Sequence, residues 1–287
     1  MSAHPHVPML ALDTLWFQVA GTLCNIECTH CFISSSPTNR SHGMLSLSDV
    51  QSRLAEASEL GVREYYFTGG EPFLNREMVP ILAATLKQGP ATVLTNGMLL
   101  TARICAQLRE LIDGNEYSLD LRVSLDGFDR DTHDTIRGAG GWDRAMSGLR
   151  NLVAVDINPV ITVTETATGI RTEDGRARFL AMIRAWGFEK PRLKVLPLFR
   201  LGAEAQRTGG YADSERLTAD MFDEGKADTL QCSSCRMITS KGVYVCPILI
   251  DFPEARMGST LTETLRPFEL RFAACHTCWV EGVTCRT

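Results

Sequence analysis

The chain has 287 residues, of which 44% are hydrophobic and 22% charged. These are ordinary globular values, which exclude a disordered or fibrous chain and leave one large domain with an appendage, or two domains. Twenty-nine Lys and Arg against 34 Asp and Glu give a formal charge of -5, and no basic run marks a nucleic-acid or anionic-membrane partner. The sequence opens without a cationic, apolar leader, and no stretch approaches the roughly 18 consecutive apolar residues of a membrane span, so the expected location is cytoplasmic with no membrane contact. Ten cysteines are many for a reducing compartment, where they do not serve as disulfides. They point to metal or iron-sulfur ligation, and the charge balance to a small-molecule or peptide substrate.

Residues 1–13 read as an N-terminal leader segment. The first strand is expected at Thr14 to Ala20. Directly after it, GTLCNIECTHCF places Cys24, Cys28 and Cys31 at C-x3-C-x2-C spacing in a strand-to-helix loop. Three thiolates so close in sequence can hold one cubane, but a cubane has four irons, so one iron stays open to chelate a small molecule and pass it an electron. His30, inside the loop, is either a fourth ligand or a hydrogen-bonded or solvent-facing side chain. A structural zinc site is the competing reading of the triad, for which this spacing is unusual.

Val50, Leu54, Ala57 and Leu60 then recur at helical spacing behind the caps Ser46 and Ser48. A strand at Arg63 to Thr68 runs into Gly69-Gly70-Glu71-Pro72, and one at Ala91 to Leu94 into Thr95-Asn96-Gly97. Ile104, Leu108 and Leu111 mark a helix behind Thr101, with Cys105 as a small core residue. A strand at Leu119 to Ser124 leads to Ser124-Leu125-Asp126-Gly127, then Asp134-Thr135-Ile136-Arg137-Gly138. The glycines from Gly138 to Gly141 lack the lysine and Ser/Thr of a phosphate loop and read as a plain loop. Ala145, Leu149 and Leu152 form a third helical set. A strand at Pro159 to Val163 ends in Val163-Thr164-Glu165-Thr166, where no ligand-binding residue is recognised and Glu165 reads as solvent-facing. Leu180, Ile183 and Trp186 form the fourth helical set, before a strand at Arg192 to Leu196.

Repeated strand-helix units predict a parallel sheet with its ligands at the carboxyl ends of the strands, in an open doubly wound sheet or in a full or partial barrel. Residues 14–202 form this core. From Leu201 the period breaks, so 203–230 read as a linker or active-site loop. Residues 231–287 hold six of the ten cysteines, as Cys232-x2-Cys235-x10-Cys246 and Cys275-x2-Cys278-x6-Cys285. That segment is too short to depend on apolar burial alone, and its paired C-x2-C elements point to a metal without saying which.

The C-x3-C-x2-C loop, with the aromatic Phe32 beside its last cysteine, resembles the signature of the radical S-adenosylmethionine (SAM) superfamily. Tyr66-Phe67-Thr68-Gly69-Gly70-Glu71-Pro72 is similar to the GGEP motif of that family. The resemblance runs over residues 14–200 or so and implies a partial (β/α)6 TIM-like barrel carrying a small cysteine-rich C-terminal domain. It implies that Cys24, Cys28 and Cys31 hold a [4Fe-4S] cluster whose open iron binds SAM. Phe32, Gly69, Gly70, Glu71, Asn96, Ser124, Asp126 and Arg137 are then the residues that surround SAM. Gly69, Gly70 and Glu71 receive the amino group, Ser124 and Asp126 the ribose, and Arg137 the carboxylate, where a planar fork suits bidentate pairing. No residue is singled out as catalytic.

The tail is similar to the SPASM and twitch auxiliary-cluster extensions of the same family, with Cys232, Gly242 and Cys246 in a hairpin and Cys275 and Cys278 as the later pair. This implies an auxiliary [4Fe-4S] cluster on Cys232, Cys246, Cys275 and Cys278, with Cys235 and Cys285 as alternates. A Cys232/Cys235/Cys246 trio with an open iron, or a zinc site, also fits the spacing. The activity implied is reductive cleavage of SAM to a 5'-deoxyadenosyl radical that takes a hydrogen atom from substrate. The electron comes from a flavodoxin or ferredoxin, and the auxiliary cluster accepts one back, for a net oxidation. With 23 residues ahead of Cys24, a small molecule such as a sugar, aminocyclitol or nucleoside is expected before a ribosomally made peptide. The reading from another class is a non-catalytic zinc-binding interaction module.

Overall fold

A computed structural model describes residues 4–166 and 169–282. In chain order the elements are β1 (His6–Val7), β2 (Thr14–Gln18), α1 (Leu47–Glu59), β3 (Glu64–Thr68), α2 (Met78–Thr85), β4 (Ala91–Thr95), α3 (Ala102–Asp113) and β5 (Leu119–Ser124). There follow α4 (Arg130–Arg137), α5 (Gly141–Ala154), β6 (Val160–Thr164), α6 (Glu173–Ala185), β7 (Arg192–Leu196) and α7 (Gly202–Thr208). The tail adds β8 (Cys235–Thr239), β9 (Gly242–Tyr244), β10 (Arg256–Gly258), β11 (Phe268–Glu269) and α8 (Ala273–Glu281).

The main sheet has nine strands in the order β10-β9-β8-β2-β3-β4-β5-β6-β7, and β2 through β7 are parallel neighbours in sequence order. That order decides between the two expected architectures. A doubly wound sheet reverses direction at a switch point, whereas strands added in one direction by same-handed crossovers leave every helix on one face and curl the sheet around the other. The chain is therefore an α/β partial barrel. Side chains alternate accordingly. Leu15 and Phe17 of β2 and Tyr65 and Phe67 of β3 join Leu54, Leu82, Cys105 and Leu149 in the layer between sheet and helices. Trp16, Gln18, Leu94, Arg122 and Lys194 instead line the concave interior.

Local chemistry explains the helices that the periodicity predicts. Ser46 accepts from Asp49 N and Asp49 returns the bond to Ser46 N, so α1 starts on a full capping box, and Val50, Leu54 and Ala57 bury its apolar stripe. The elements that the sequence does not announce lack such a stripe. In α2, Met78, Ile81, Leu82 and Thr85 are all buried and no side-chain cap is present; a helix apolar on most sides has no polar face to set a period. In α4 only His133 and Arg137 are buried. Helix α7 lies within the stretch that reads as patternless, where Ala203 N donates to Cys31 O at 2.9 Å.

The cysteine-rich tail extends the core sheet. Strand β8 pairs with β2 in parallel, Thr14 opposite Cys235 and Phe17 opposite Ile238, and the β8-β9 hairpin and β10 continue antiparallel. A second apolar cluster joins Trp16, Tyr66, Met237, Val245, Ile248 and Phe268 on the inner side. Among the described residues no helix is long and apolar enough to cross a membrane.

Candidate functional site

At the carboxyl ends of the parallel strands a cavity of about 240 Å³ opens inside the barrel, and Cys24, Cys28 and Cys31 all line it. Backbone bonds dock their loop on three sides. Gly70 N and Glu71 N donate to Gly21 O and Leu23 O at 2.8 and 3.0 Å, Thr29 N donates to Ile136 O at 2.9 Å, and α7 attaches at Cys31 O. A Cβ on Gly70 would stand 2.0 Å from Leu23 O. The bare backbone of the paired glycines is thus needed for the approach of two loops, while Gly69 and Gly70 also face the cavity. Burial pushes the Cys24 thiol up to about 11 and the Cys28 thiol to about 12, the latter opposed by the Arg137 guanidinium. Such thiols ionise when a metal supplies the charge, as cluster ligation requires. Three sulfurs around one cavity, with no fourth cysteine lining it among the described residues, fit a cubane with one open iron.

Of the residues expected around SAM, Phe32, Gly69, Gly70, Asn96, Ser124 and Arg137 line this cavity. Glu71 and Asp126 do not face it, and both carboxylates are fully buried. Glu71 Oε1 accepts from Thr95 Oγ1 at 2.7 Å and Phe73 N at 3.1 Å, and Oε2 from Asn96 N at 2.8 Å. Burial pushes its carboxyl up. In place of the expected direct contact with an amino group, Glu71 sets Asn96, whose Nδ2 reaches Asn25 Oδ1 at 2.7 Å.

Asp126 likewise acts one step behind the surface. Its Oδ2 accepts from Arg137 Nε at 2.8 Å and stands 2.9 Å from His30 Nε2. Its Oδ1 accepts from Thr164 N and Thr164 Oγ1, both at 2.7 Å. Burial alone would raise its pKa, but Arg137 and His30 hold it well below the usual carboxylate range. His30 is thus engaged through Nε2, while its Nδ1 is buried without a hydrogen-bond partner. The fifth strand end, where the sequence shows no ligand-binding residue, gains a purpose as well: Thr164 completes the Asp126 site. Glu165 pairs with Arg171 instead of standing free in solvent. Arg137 keeps the edge of its fork toward the cavity, with Nη1 4.0 Å from Cys28 Sγ.

Behind Asp126, His133 of α4 is fully buried, accepts from Asp126 N at 3.3 Å through Nδ1 and meets the Trp142 ring edge-on at 5.6 Å. Burial lowers its pKa from 6.5 to about 4. Between those two values the unfolded chain binds the proton and the folded one does not, so stability is full above pH 6.5 and falls as the pH drops toward 4. The urea midpoint of wild type should therefore fall more steeply across that window than that of His133→Gln; equal slopes would discard the assignment.

The tail cysteines form a second group. Cys232, Cys246, Cys275 and Cys278 line one small cavity of otherwise apolar character. Cys275 and Cys278 sit one turn apart on α8. Burial pushes Cys232 up to about 11 and Cys275 well above the usual thiol range, the Cys232 and Cys246 sulfurs adding to the latter. Cys235 opens β8 and points to Val245 O at 3.9 Å, off this cavity, and Cys285 lies outside the described residues. Beside the group Arg236 is fully buried, and no motif in the sequence marks it. Cys105 is a core residue of α3.

Comparison with known proteins bears on these two sites. The chain is 28% identical over 212 residues to the GTP 3',8-cyclase of Chlorobaculum tepidum, covering 72% of this chain and 61% of that enzyme. It is 32% identical over 145 residues to the mycofactocin maturase MftC of Mycobacterium tuberculosis, covering 48% of this chain and 35% of that one. Among solved structures, Streptococcus suis SuiB bound to its precursor peptide SuiA superposes with a TM-score of 0.67 at 15% identity, over 89% of this chain and 65% of that one. The structure of anSMEcpe with bound AdoMet does so with a TM-score of 0.62 at 16% identity, over 88% and 76%. These likenesses are of fold. The description of the radical SAM superfamily matches residues 19–182, more than half of the chain, and with the SAM-type cysteine loop at the mouth of its barrel the protein belongs to that superfamily.

Proposed function

We propose that this chain cleaves SAM reductively and uses the 5'-deoxyadenosyl radical to remove a hydrogen atom from a small molecule, which in all loses two electrons and two protons. The observation that carries the reading is the single cavity lined both by Cys24, Cys28 and Cys31 and by Asn96, Ser124 and Arg137. A [4Fe-4S] cluster bound there supplies the electron that splits the sulfonium and an iron for the amino and carboxylate groups of SAM.

The chain's own residues do the rest. Arg137, held through Nε by Asp126, presents its remaining donors to a carboxylate. Asn96, set by Glu71, and Gly69 and Gly70 offer polar edges at the amino group, and Ser124 faces the ribose. Phe32 and Phe199, with ring centroids 5.9 Å apart, close the mouth against water, which would otherwise compete for a reactive carbon radical. Cys232, Cys246, Cys275 and Cys278 would hold a second four-iron cluster, which would supply an acceptor for the second electron. A small acidic electron carrier, flavodoxin or ferredoxin, is the proposed reductant.

The test is anaerobic reconstitution with iron and sulfide, then dithionite and SAM without any substrate. Slow release of methionine and 5'-deoxyadenosine in equal amounts is expected. A preparation that stays colourless, retains zinc and leaves SAM intact would replace the enzyme by a zinc-binding module. A 5'-deoxyadenosine yield raised by acidic or basic peptides and by no metabolite would shift the substrate class to peptides.

A further inference from the structure

We propose that the substrate carries an anionic oxygen group, a carboxylate or a phosphate, and that Arg122 and Lys194, which flank the Ser124–Thr162 hydroxyl pair, form its binding site on the inner wall of the barrel. The inference rests on the reading of this cavity as the reaction chamber and names the class of molecule that enters it.

Strand register places the parts. Ser124 of β5 stands opposite Thr162 of β6, and Thr162 opposite Lys194 of β7, so the three form one lateral row across the pleated interior. Thr162 Oγ1 already reaches Ser124 Oγ at 3.2 Å. Arg122 is the next inward-facing residue of β5 and lies 5.1 Å over the Tyr66 ring, which fixes the plane of its guanidinium. All four side chains line the cavity. Such a patch offers a point cation and a planar fork within one wall, cationic donors that oxyanions take.

The charges on this wall support the assignment. Among the described residues that line the cavity the cations are Arg122, Arg137 and Lys194, there is no Asp or Glu, and the thiolates belong to the Cys24, Cys28 and Cys31 loop. Arg137 is engaged on the cysteine side, bonded to Asp126 and near Cys28. Arg122 and Lys194 stand on β5 and β7. On the β5–β7 side of the chamber the charged side chains are Arg122 and Lys194, both positive, and like charges on one wall add their fields at whatever binds there. An anion gains from that field, a neutral sugar gains nothing, and a cationic aminocyclitol meets repulsion.

A second, independent observation indicates a polar occupant. Gln18 of β2 is fully buried, lines the same cavity, and neither its amide nitrogen nor its carbonyl oxygen has a hydrogen-bond partner. Buried amides in native proteins are satisfied. Lining the same cavity as Arg122 and Lys194, Gln18 is set to bind a hydroxyl or amide on the uncharged end of the same molecule.

The test uses the reconstituted, SAM-loaded holoenzyme at fixed ionic strength, with pyrophosphate and glutarate as separate titrants in a calorimeter. One arm or both should bind, and the stronger arm tells phosphate from carboxylate. Lys194→Gln and Arg122→Gln should each weaken the stronger titrant at least tenfold. Lys194 lies on an edge strand, so its variant keeps the experiment decisive if Arg122→Gln fails to fold. Absence of binding in both arms, or binding undiminished by either substitution, overturns the proposal. Substrate-free SAM cleavage by wild type is measured beside it. If that occurs while neither anion binds, only the anion site fails; if it does not occur, the reaction chamber itself was misread.

Discussion

Replacing Cys24, Cys28 and Cys31 together by alanine is expected to lower the iron of reconstituted protein from about eight atoms per chain to about four and to abolish 5'-deoxyadenosine formation. The loss should be complete because, in the proposed reaction, these sulfurs hold the cluster from which SAM takes its electron, and no other cysteine lines the cavity among the described residues. It should also be chiefly a chemical loss, since the sulfurs make only weak contacts within the fold, accepting from Ser35 N at 3.3 Å, Asn96 Nδ2 at 3.8 Å and Arg137 Nη1 at 4.0 Å. The bonds that dock it run through backbone, from Gly70 and Glu71 to Gly21 and Leu23, from Thr29 to Ile136, and from Ala203 to Cys31. The variant should therefore keep its circular dichroism spectrum and its second set of four irons. Iron, sulfide and product assays on wild type and variant, side by side, check it. Eight irons retained, or product formation at the wild-type rate, would remove the assignment of the N-terminal cluster to this loop.

Much of this site is legible in the amino-acid order alone, and the division between what is and what is not has a physical cause. Signals that are local in the chain come through. The capping box at Ser46 and Asp49 and the stripe Val50, Leu54, Ala57 define α1, and the alternating run Leu119 to Ser124 coincides with β5. Loop residues after successive strands converge because a parallel sheet brings all its carboxyl ends to one side. Depth is different. The positions of Glu71 and Asp126 are visible as motifs, yet whether their oxygens face a ligand or a second side chain depends on how loops from distant strands close over them. Thr95 and Thr164, which saturate those oxygens, are unremarkable in sequence. The same holds for Gln18, Arg122 and Lys194, which occupy inward pleats that look like any polar residue in a strand until the sheet is known to curl. Helix α8, which carries Cys275 and Cys278, is hidden for a further reason: its residues are mostly apolar and cysteine, with no continuous polar face.

Arg236→Met is expected to destabilise the tail by about 3–5 kcal/mol and to empty the auxiliary site of iron while the N-terminal four irons remain. Arg236 is fully buried on β8. Its guanidinium donates to Cys235 O at 2.7 Å and Cys232 O at 2.8 Å through Nη1, and to Thr264 O at 2.8 and 3.1 Å through Nη2 and Nε. A further bond runs from Nη2 to Arg266 O at 3.2 Å. One planar group thus ties the strand that follows Cys232 to the segment that leads into α8, so it links the two halves of the proposed cluster site. Burial lowers its pKa while the Cys235, Cys232 and Cys246 sulfurs oppose the change, and a guanidinium stays charged in either case. No carboxylate appears among these bonds. Its charge is then balanced only when the neighbouring sulfurs are ionised, as they are around iron. Methionine fills similar volume but removes the guanidinium donors from the carbonyls of Cys232 and Cys235 and leaves Thr264 O only the backbone Arg266 N, at about 1–3 kcal/mol for each carbonyl left unpaired where water cannot reach. Lysine restores the charge without the fork and cannot span acceptors on two segments, so Arg236→Lys should recover part of the iron and less of the stability. Urea denaturation of apo and reconstituted protein, with iron counts on both variants, measures the two effects apart. A purely structural role predicts equal losses in apo and reconstituted protein; a role in holding the cluster predicts a larger loss in the reconstituted form, and an unchanged midpoint in both would show that the carbonyls find other donors.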